Sequence, residues 1–309
     1  MTARLATAPV TWGITEFPDW GPRLEYTTVL DQMAACGYEG TELGPLGYLP
    51  SDPNRLAAEL EARGLALVGA FVPLALRDPD ALPQGAKDVR TTARLLQRLG
   101  ARVIILSDAG DETRRRIAGR PEETARHGLA AGEWPGYVAR LEELARIAWE
   151  EYGLSASFHS HGGTYVENPS EIARLLEETD PDVIGFCLDT GHVAFGGGDP
   201  VALALRYRSR INHIHLKDID LGRLQQVLRE GASYLDAARN DVFVPLGRGA
   251  LDLDRLLEAL AGYHGWIVVE QDRVIRPGTN PAKSARESLE FLRARLQGGL
   301  AGRGPSQPA

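Results

Sequence analysis

The sequence predicts a single (β/α)8 barrel of the TIM type. Three observations point there. Short apolar runs of strand length recur along the chain, amphipathic helical segments alternate with them, and ligand-type side chains collect at the carboxyl ends of the later runs. Eight runs read as strands: 4–12 (RLATAPVTW), 39–43 (EGTEL), 66–72 (ALVGAFV), 102–107 (RVIILS), 155–159 (SASFH), 184–189 (IGFCLD), 211–217 (INHIHLK) and 266–271 (WIVVEQ). Seven are mostly apolar through their length, as parallel strands covered on both faces should be. Helix patterns fall between them at about 25–36, 52–63, 86–99, 135–152, 169–179, 199–208 and 252–262, with a last one at 281–296. Asp52-Pro53, Asn168-Pro169, Asp199-Pro200 and Asn280-Pro281 each set a capping side chain before a proline, whose missing N–H costs nothing in a first helical turn. A doubly wound open sheet is the runner-up, and its usual glycine-rich phosphate turn after the first strand is missing.

The barrel is expected to span 1–297. The tail 298–309 (GGLAGRGPSQPA) is Gly/Pro-rich without apolar periodicity and is expected to be disordered. Two long connections, 108–132 and 218–251, leave the carboxyl ends of strands four and seven, the face where barrel enzymes build their pockets, and read as lids. The second carries an apolar run before Gly247 and Gly249, which reads as a hinge.

The 309 residues carry a formal net charge of -8, from 34 Lys+Arg against 42 Asp+Glu, so nothing attracts a phosphate backbone or an anionic membrane. A small-molecule substrate is expected, with no nucleic-acid or membrane partner; a homo-oligomer remains open. Cys36 and Cys187 lack CxxC spacing and sit in apolar settings, which suits core fillers in a reduced chain. No apolar stretch approaches roughly 18 residues and no leader precedes the first strand pattern, so a soluble, cytoplasmic protein is expected.

Five of the seven histidines lie between 159 and 215, in FHSH, LDTGH and HIHLKD. The ends of the strands read Trp12, Glu42, Ser107/Asp108, His159/His161, Asp189/His192, His215/Lys217 and Glu270/Asp272. Polar groups at nearly every carboxyl end are costly unless partnered, which marks that end as the active face. Imidazoles and carboxylates at the ends of strands five to eight, adjacent around a barrel, form the ligand set of a divalent transition metal. Within HIH, His213 and His215 share a face, so alternation does not choose between them; His215, nearer the carboxyl end, is preferred.

APVTWG, GTELGP, HSHGGT, CLDTGH, HIHLKD, VPLGRG and WIVVEQD, in that order over about residues 5–296, resemble the xylose-isomerase-like TIM-barrel superfamily (sugar phosphate isomerase/epimerase-like), and within it the inosose dehydratases of myo-inositol catabolism. The resemblance implies a divalent ion, commonly manganese or cobalt, held by one residue from each of the last four strands. Asp189, His215 and Glu270 match the ligand positions. Many members carry Glu at the fourth position, where this chain has His159; either His159 or His161 takes its place, and His159 is favoured at the aligned position. Two carboxylates and two neutral imidazoles balance a dication and leave it a good Lewis acid. The resemblance also implies a substrate or outer contact for His192, and places Glu42 and Trp12 on the substrate side.

Proton transfer is expected from Glu42, His161, His192 and Lys217 in unassigned order, with Lys217 carrying a depressed pKa if the site is dry; the competing reading of Lys217 is an ion pair with Asp218 at the rim. Trp12, Asp218 and Arg248 are the expected substrate contacts, Arg248 reaching in from the lid. The implied reaction is a metal-dependent hydro-lyase step, dehydration of an inosose through an enolate. The alternative is ketose isomerisation or epimerisation by the same chemistry. A DNA-repair endonuclease is disfavoured by the acidic balance, and a non-catalytic sugar-binding barrel by nothing but a metal assay.

Overall fold

The computed structural model describes residues 4–16 and 20–298. Strands β1 (Arg4–Thr7), β2 (Gly40–Glu42), β3 (Ala66–Gly69), β4 (Phe71–Leu74), β5 (Val103–Asp108), β6 (Ser155–His159), β7 (Ile184–Asp189), β8 (Ile211–Leu216), β9 (Asp218–Ile219), β10 (Phe243–Val244) and β11 (Trp266–Val269) follow in chain order. Nine of them form one parallel sheet in the order β3-β2-β1-β11-β8-β7-β6-β5-β4, while β9 and β10 pair antiparallel beside it. The two edges, β3 and β4, are halves of the third expected strand, interrupted at Ala70. Gly69 accepts from the Leu43 amide on one side and Ala70 from the Ile105 amide on the other, which brings the sheet round into a nearly closed barrel.

The first strand is shorter than expected. Pro9 has no N–H for the ladder, so the chain turns there into a 3-10 helix over Pro9–Trp12, which Gly13 ends at φ 72°.

The helices are α1 (Tyr26–Cys36), α2 (Pro53–Glu61), α3 (Leu82–Arg98), α4 (Glu112–Ile117), α5 (Pro121–Arg126), α6 (Trp134–Tyr152), α7 (Pro169–Glu178), α8 (Thr190–Phe195), α9 (Pro200–Arg206), α10 (Leu221–Arg229), α11 (Tyr234–Arg239), α12 (Leu253–Ala259) and α13 (Pro281–Gly298). The four Asx-Pro signals all cap: Asp52, Asn168, Asp199 and Asn280 accept from the amides of Arg55, Glu171, Val201 and Lys283. Both long connections fold into helices, 108–132 into α4 and α5 and 218–251 into α10 and α11 between β9 and β10. Beyond Gly298, the expected tail lies outside the described residues.

The main core packs outward-facing strand residues such as Ile104, Leu106, Leu188 and Ile214 against the helices. A smaller cluster of Trp20, Phe195, Tyr234, Val242 and Phe243 roofs the carboxyl end, built largely by the 218–251 segment. Among the described residues no helix is long and apolar enough to cross a membrane.

Candidate active site

Strand register sets the heights of the polar side chains. His159 pairs across from Ser107 and Cys187, and Asp189 from His215, so β6, β7 and β8 present their last inward residues at neighbouring levels. Asp189 ends β7 and caps α8: Oδ1 accepts the His192 amide at 2.8 Å, while Oδ2 accepts Lys217 Nζ at 2.6 Å and lies 3.1 Å from His159 Nε2. Glu270, the residue after β11, accepts Lys217 Nζ at 2.7 Å and lies 3.2 Å from His215 Nδ1. Asp189, His215 and Glu270 offer ligand atoms within 4.8 Å of one another. The Nδ1 atoms of His159 and His215 are buried without a hydrogen bond, an expense that a lone pair facing a cation would remove.

Beside this group stands a second one. Asp272 Oδ2 accepts the Tyr234 hydroxyl at 2.6 Å and lies 3.1 Å from His192 Nε2, and its Oδ1 is 3.5 Å from Lys217 Nζ. His192 Nδ1 accepts the Gly162 amide, so the ring proton sits on Nε2, toward Asp272. His161 Nδ1 donates to the Gly162 carbonyl, which leaves Nε2 as the lone-pair nitrogen; its ring stands 3.9 Å from that of His192. The cleft has about 60 Å³ of free space and opens to solvent, and its lining joins Glu42, His159, His161, Lys217, Glu270 and Asp272 to an apolar wall that includes Phe71 and Ile14.

Burial by itself would raise the carboxyls of Glu42, Asp189, Glu270 and Asp272. The Lys217 ammonium and the imidazoles around them outweigh it, and all four are held below the usual carboxylate range. Burial likewise opposes charge on Lys217, but Asp189, Asp272 and Glu270 hold its pKa well above the ordinary value. The expected depressed lysine is therefore corrected: three carboxylates stabilise the ammonium more than the dry site penalises it. Burial lowers His159 to about 4 and carries His161 well below the ordinary imidazole value, the His192 ring adding to the effect. For His215, burial is outweighed by Cys187, Glu270 and Glu42, so its proton affinity is raised.

Of the expected site residues, the structure brings together Glu42, His159, His161, Asp189, His192, His215, Lys217 and Glu270, and leaves three aside. Trp12 is fully buried and donates to Gln32 at 2.7 Å, away from the cleft lining. Asp218 does not pair with Lys217; its carboxylate accepts the amides of Ile219, Gly247, Gly249 and Leu251 and holds the loop after β10. Arg248 is exposed on that loop, whose Gly247 lies against Phe291 of α13, so the expected hinge is pinned from below and borders an outer helix. The covering part of the segment is α11, which delivers Tyr234.

Tyr234 and the His213 contact to Glu42 were not legible as site features, because each depends on how distant segments meet. Phe71 lies edge-on to His159 at 5.6 Å between ring centres. Its position at the end of a strand that reads as apolar core carries no signal of that role.

The family model for the xylose isomerase-like TIM barrel matches residues 30–295. An inosose dehydratase from Geobacillus kaustophilus is 34% identical over 293 residues, 94% of each chain. The rhizopine catabolism protein MocC from Rhizobium meliloti is 37% identical over 283 residues, 88% of this chain and 82% of its own. Among solved structures, the probable 3-DHS dehydratase AsbF from Bacillus anthracis superposes with a TM-score of 0.71 at 16% identity, covering 94% of this chain and 98% of its own, a likeness of fold.

Proposed function

This chain belongs to the xylose isomerase-like TIM-barrel family, and on that premise we propose that it dehydrates an inosose, a cyclic polyhydroxy ketone, as a divalent-metal-dependent hydro-lyase of inositol catabolism. The observation that carries the reading is one buried cluster in which a convergent ligand set, Asp189, His215 and Glu270, adjoins two groups able to move protons, the His161 imidazole and the Lys217 amine, in the lining of one cleft. An acid and a base side by side are what an elimination requires. Similarity to an inosose dehydratase, at 34% identity over 94% of each chain, supports the substrate class.

The residues fit a divalent ion, proposed to be manganese or cobalt. Asp189, His215 and Glu270 converge within ligand distance of one another, and His159 adjoins Asp189. What supports His159 over His161 as the fourth ligand is that His159 offers a nitrogen within 4.8 Å of ligand atoms of Asp189 and His192, and again of His215, whereas His161 joins none of these groups among the described residues. When bound, the ion would supply Lewis acidity toward the ketone oxygen.

His161 Nε2 takes the proton from the α carbon, and the C–H electron pair becomes the new carbon–carbon double bond. The β C–O bond breaks as the Lys217 ammonium protonates the departing hydroxyl, and one water leaves. The product is an enone in its enol form, which tautomerises to a dione. His192 and Tyr234 hold Asp272 beside Lys217 and keep the ammonium near the leaving group. The Tyr234, Phe243 and Phe195 cluster packs an apolar roof beside His161 and His192, which limits water on that side of the enolate.

The test is to reconstitute the protein with manganese or cobalt and supply scyllo-inosose and a panel of ketohexoses, following ultraviolet absorbance of the conjugated product. Absorbance rising only with the inosose supports the dehydratase. Epimerised ketose without absorbance would replace it with the isomerase alternative.

A further inference from the structure

The segment HIH places two inward imidazoles on β8 one layer apart; His215 groups with Asp189 and Glu270 on one side, and with His213 and Glu42 on the other. His213 lies below His215, 1% exposed, with its Nε2 2.7 Å from Glu42 Oε1. The same oxygen lies 2.8 Å from His215 Nε2. Glu42 reaches these rings from β2, which stands three places from β8 in the sheet with β1 and β11 between, so its side chain crosses the barrel interior.

Local backbone irregularities serve this crossing. The β2–β3 register shifts between Thr41 and Glu42, and the β7–β8 register shifts between Phe186 and Cys187, beside His213. A bulge re-aims the side chain that follows it. Opposite Glu42 stands Gly69, where a Cβ would meet Ile105 at 2.7 Å.

An ionised carboxylate only accepts, so both imidazoles must carry their proton on Nε2. For His215 this makes Nδ1, the atom that faces Glu270 and Asp189 at 3.2 and 3.6 Å, the nitrogen that gives up its proton to turn a lone pair toward a cation. We infer that Glu42 and His213 are positioning residues: Glu42 fixes the ring orientation and tautomer of His215 so that Nδ1 is presented to the cation site, and His213 braces Glu42. A carboxylate donating order to a metal-ligating imidazole is a known device in general chemistry of such sites. Held at one oxygen by two imidazoles, Glu42 is committed to this work, and proton transfer to substrate passes to His161 and Lys217.

This inference rests on the metal reading above, and the experiment separates the two. Cobalt(II) affinity and the visible cobalt spectrum are measured for the full chain, for Glu42→Ala, for its near-isosteric companion Glu42→Gln, and for His213→Phe. Glu42→Ala should weaken cobalt binding by about ten- to a hundredfold and shift the spectrum, the usual size of an outer-partner loss. Glu42→Gln, whose amide oxygen still accepts one imidazole proton, should recover most of the affinity, which a general loss of folding would not. His213→Phe should give a smaller loss of the same kind. If Glu42→Ala and Glu42→Gln bind cobalt with the affinity and spectrum of the parent while turnover falls, Glu42 acts on substrate and the inference is overturned. If the parent binds no divalent ion, the metal reading itself falls, and this inference with it.

Discussion

Two buried charge clusters lie on the carboxyl face of the barrel, and they are satisfied in opposite ways. In the first, Glu42, Asp189, Glu270 and Asp272 are answered mainly by side chains, namely Lys217 and four imidazoles. In the second, beneath the 108–132 connection, Glu167 accepts the amides of Gly119 and Gly163, Glu171 accepts those of Glu167 and Asn168, and Asp108 accepts those of Gly110 and Tyr165. Arg114, fully buried, joins that group through Glu171 at 2.9 Å and the Thr164 carbonyl at 2.6 Å.

The consequence shows in their acidities. Side-chain cations hold the first set of carboxyls down. In the second set burial wins over the amides, pushing Asp108 to about 6 and Glu167 to about 7 and raising Glu171. Carboxylates bound by backbone amides tie loops together, whereas carboxylates bound by rings and an ammonium keep partners that can be exchanged for a substrate or an ion. The first cluster is the candidate site, and the second holds the His161–Thr164 turn in place.

The strongest way to break this division is to remove one charge from each cluster. Asp189→Ala should lose the ion and lower turnover by roughly a thousandfold or more, because the metal's charge stabilisation is worth several kcal/mol. Arg114→Met should keep the ion but destabilise the fold by about 3–5 kcal/mol, the usual effect of stranding a buried carboxylate. Elemental analysis and denaturant unfolding read the two; full metal occupancy in Asp189→Ala would reject the site.

Lys217→Met comes next. Turnover should fall by roughly 10²–10⁴-fold, the range for a general acid, with the product spectrum unchanged at long times. A kcat within a few-fold of the parent would remove Lys217 from the chemistry.

Within the 218–251 segment the same contrast is finer. Tyr234→Phe removes one buried hydroxyl from Asp272 and should cost about tenfold in kcat, corresponding to a hydrogen bond to a charged group. Arg248→Ala, on the pinned outer loop, should leave kcat and KM as they are. A larger loss in Arg248→Ala than in Tyr234→Phe would restore the outer loop as the working lid.

The smallest effect is on stability against pH. Glu167 moves from 4.5 to about 7 on folding and Asp108 from 3.8 to about 6, so both favour the protonated folded state. Their contribution is whole below the unfolded values and fades as pH rises through 6 and 7. The carboxyls of the first cluster run the other way, contributing above their ordinary values and fading in acid. Unfolding midpoints measured from pH 5 to 8 should therefore carry a downward component that Glu167→Gln removes in part. An unaltered slope in that variant would mean that Glu167 ionises freely in the folded protein.

The barrel was legible because its signals are local. An apolar run of strand length, an Asx-Pro cap and a helical stripe each declare themselves within a few residues, and the order of eight such units leaves few ways to fold. The gathering of Asp189, His215 and Glu270 was legible for a related reason: they lie at strand ends, and strand ends in a parallel barrel share one face wherever the helices fall. The splitting of the third strand at Ala70 and the turn at Pro9 lay at the edge of that reading, since only pairing decides where a ladder stops.

By itself the sequence determined the repeating units, the face that carries the chemistry and the residue types available there, because periodicity and end position are properties of the chain taken a few residues at a time. Tertiary structure alone decided which partner each charge meets. Asp218 turned to backbone amides, Lys217 to three carboxylates, and Glu42 to two imidazoles across the barrel, since each choice depends on distances between segments far apart in the chain. Acidity follows those distances, through burial and neighbouring charge, and so the proton affinities of His161, Lys217 and Glu42 wait on the folded geometry.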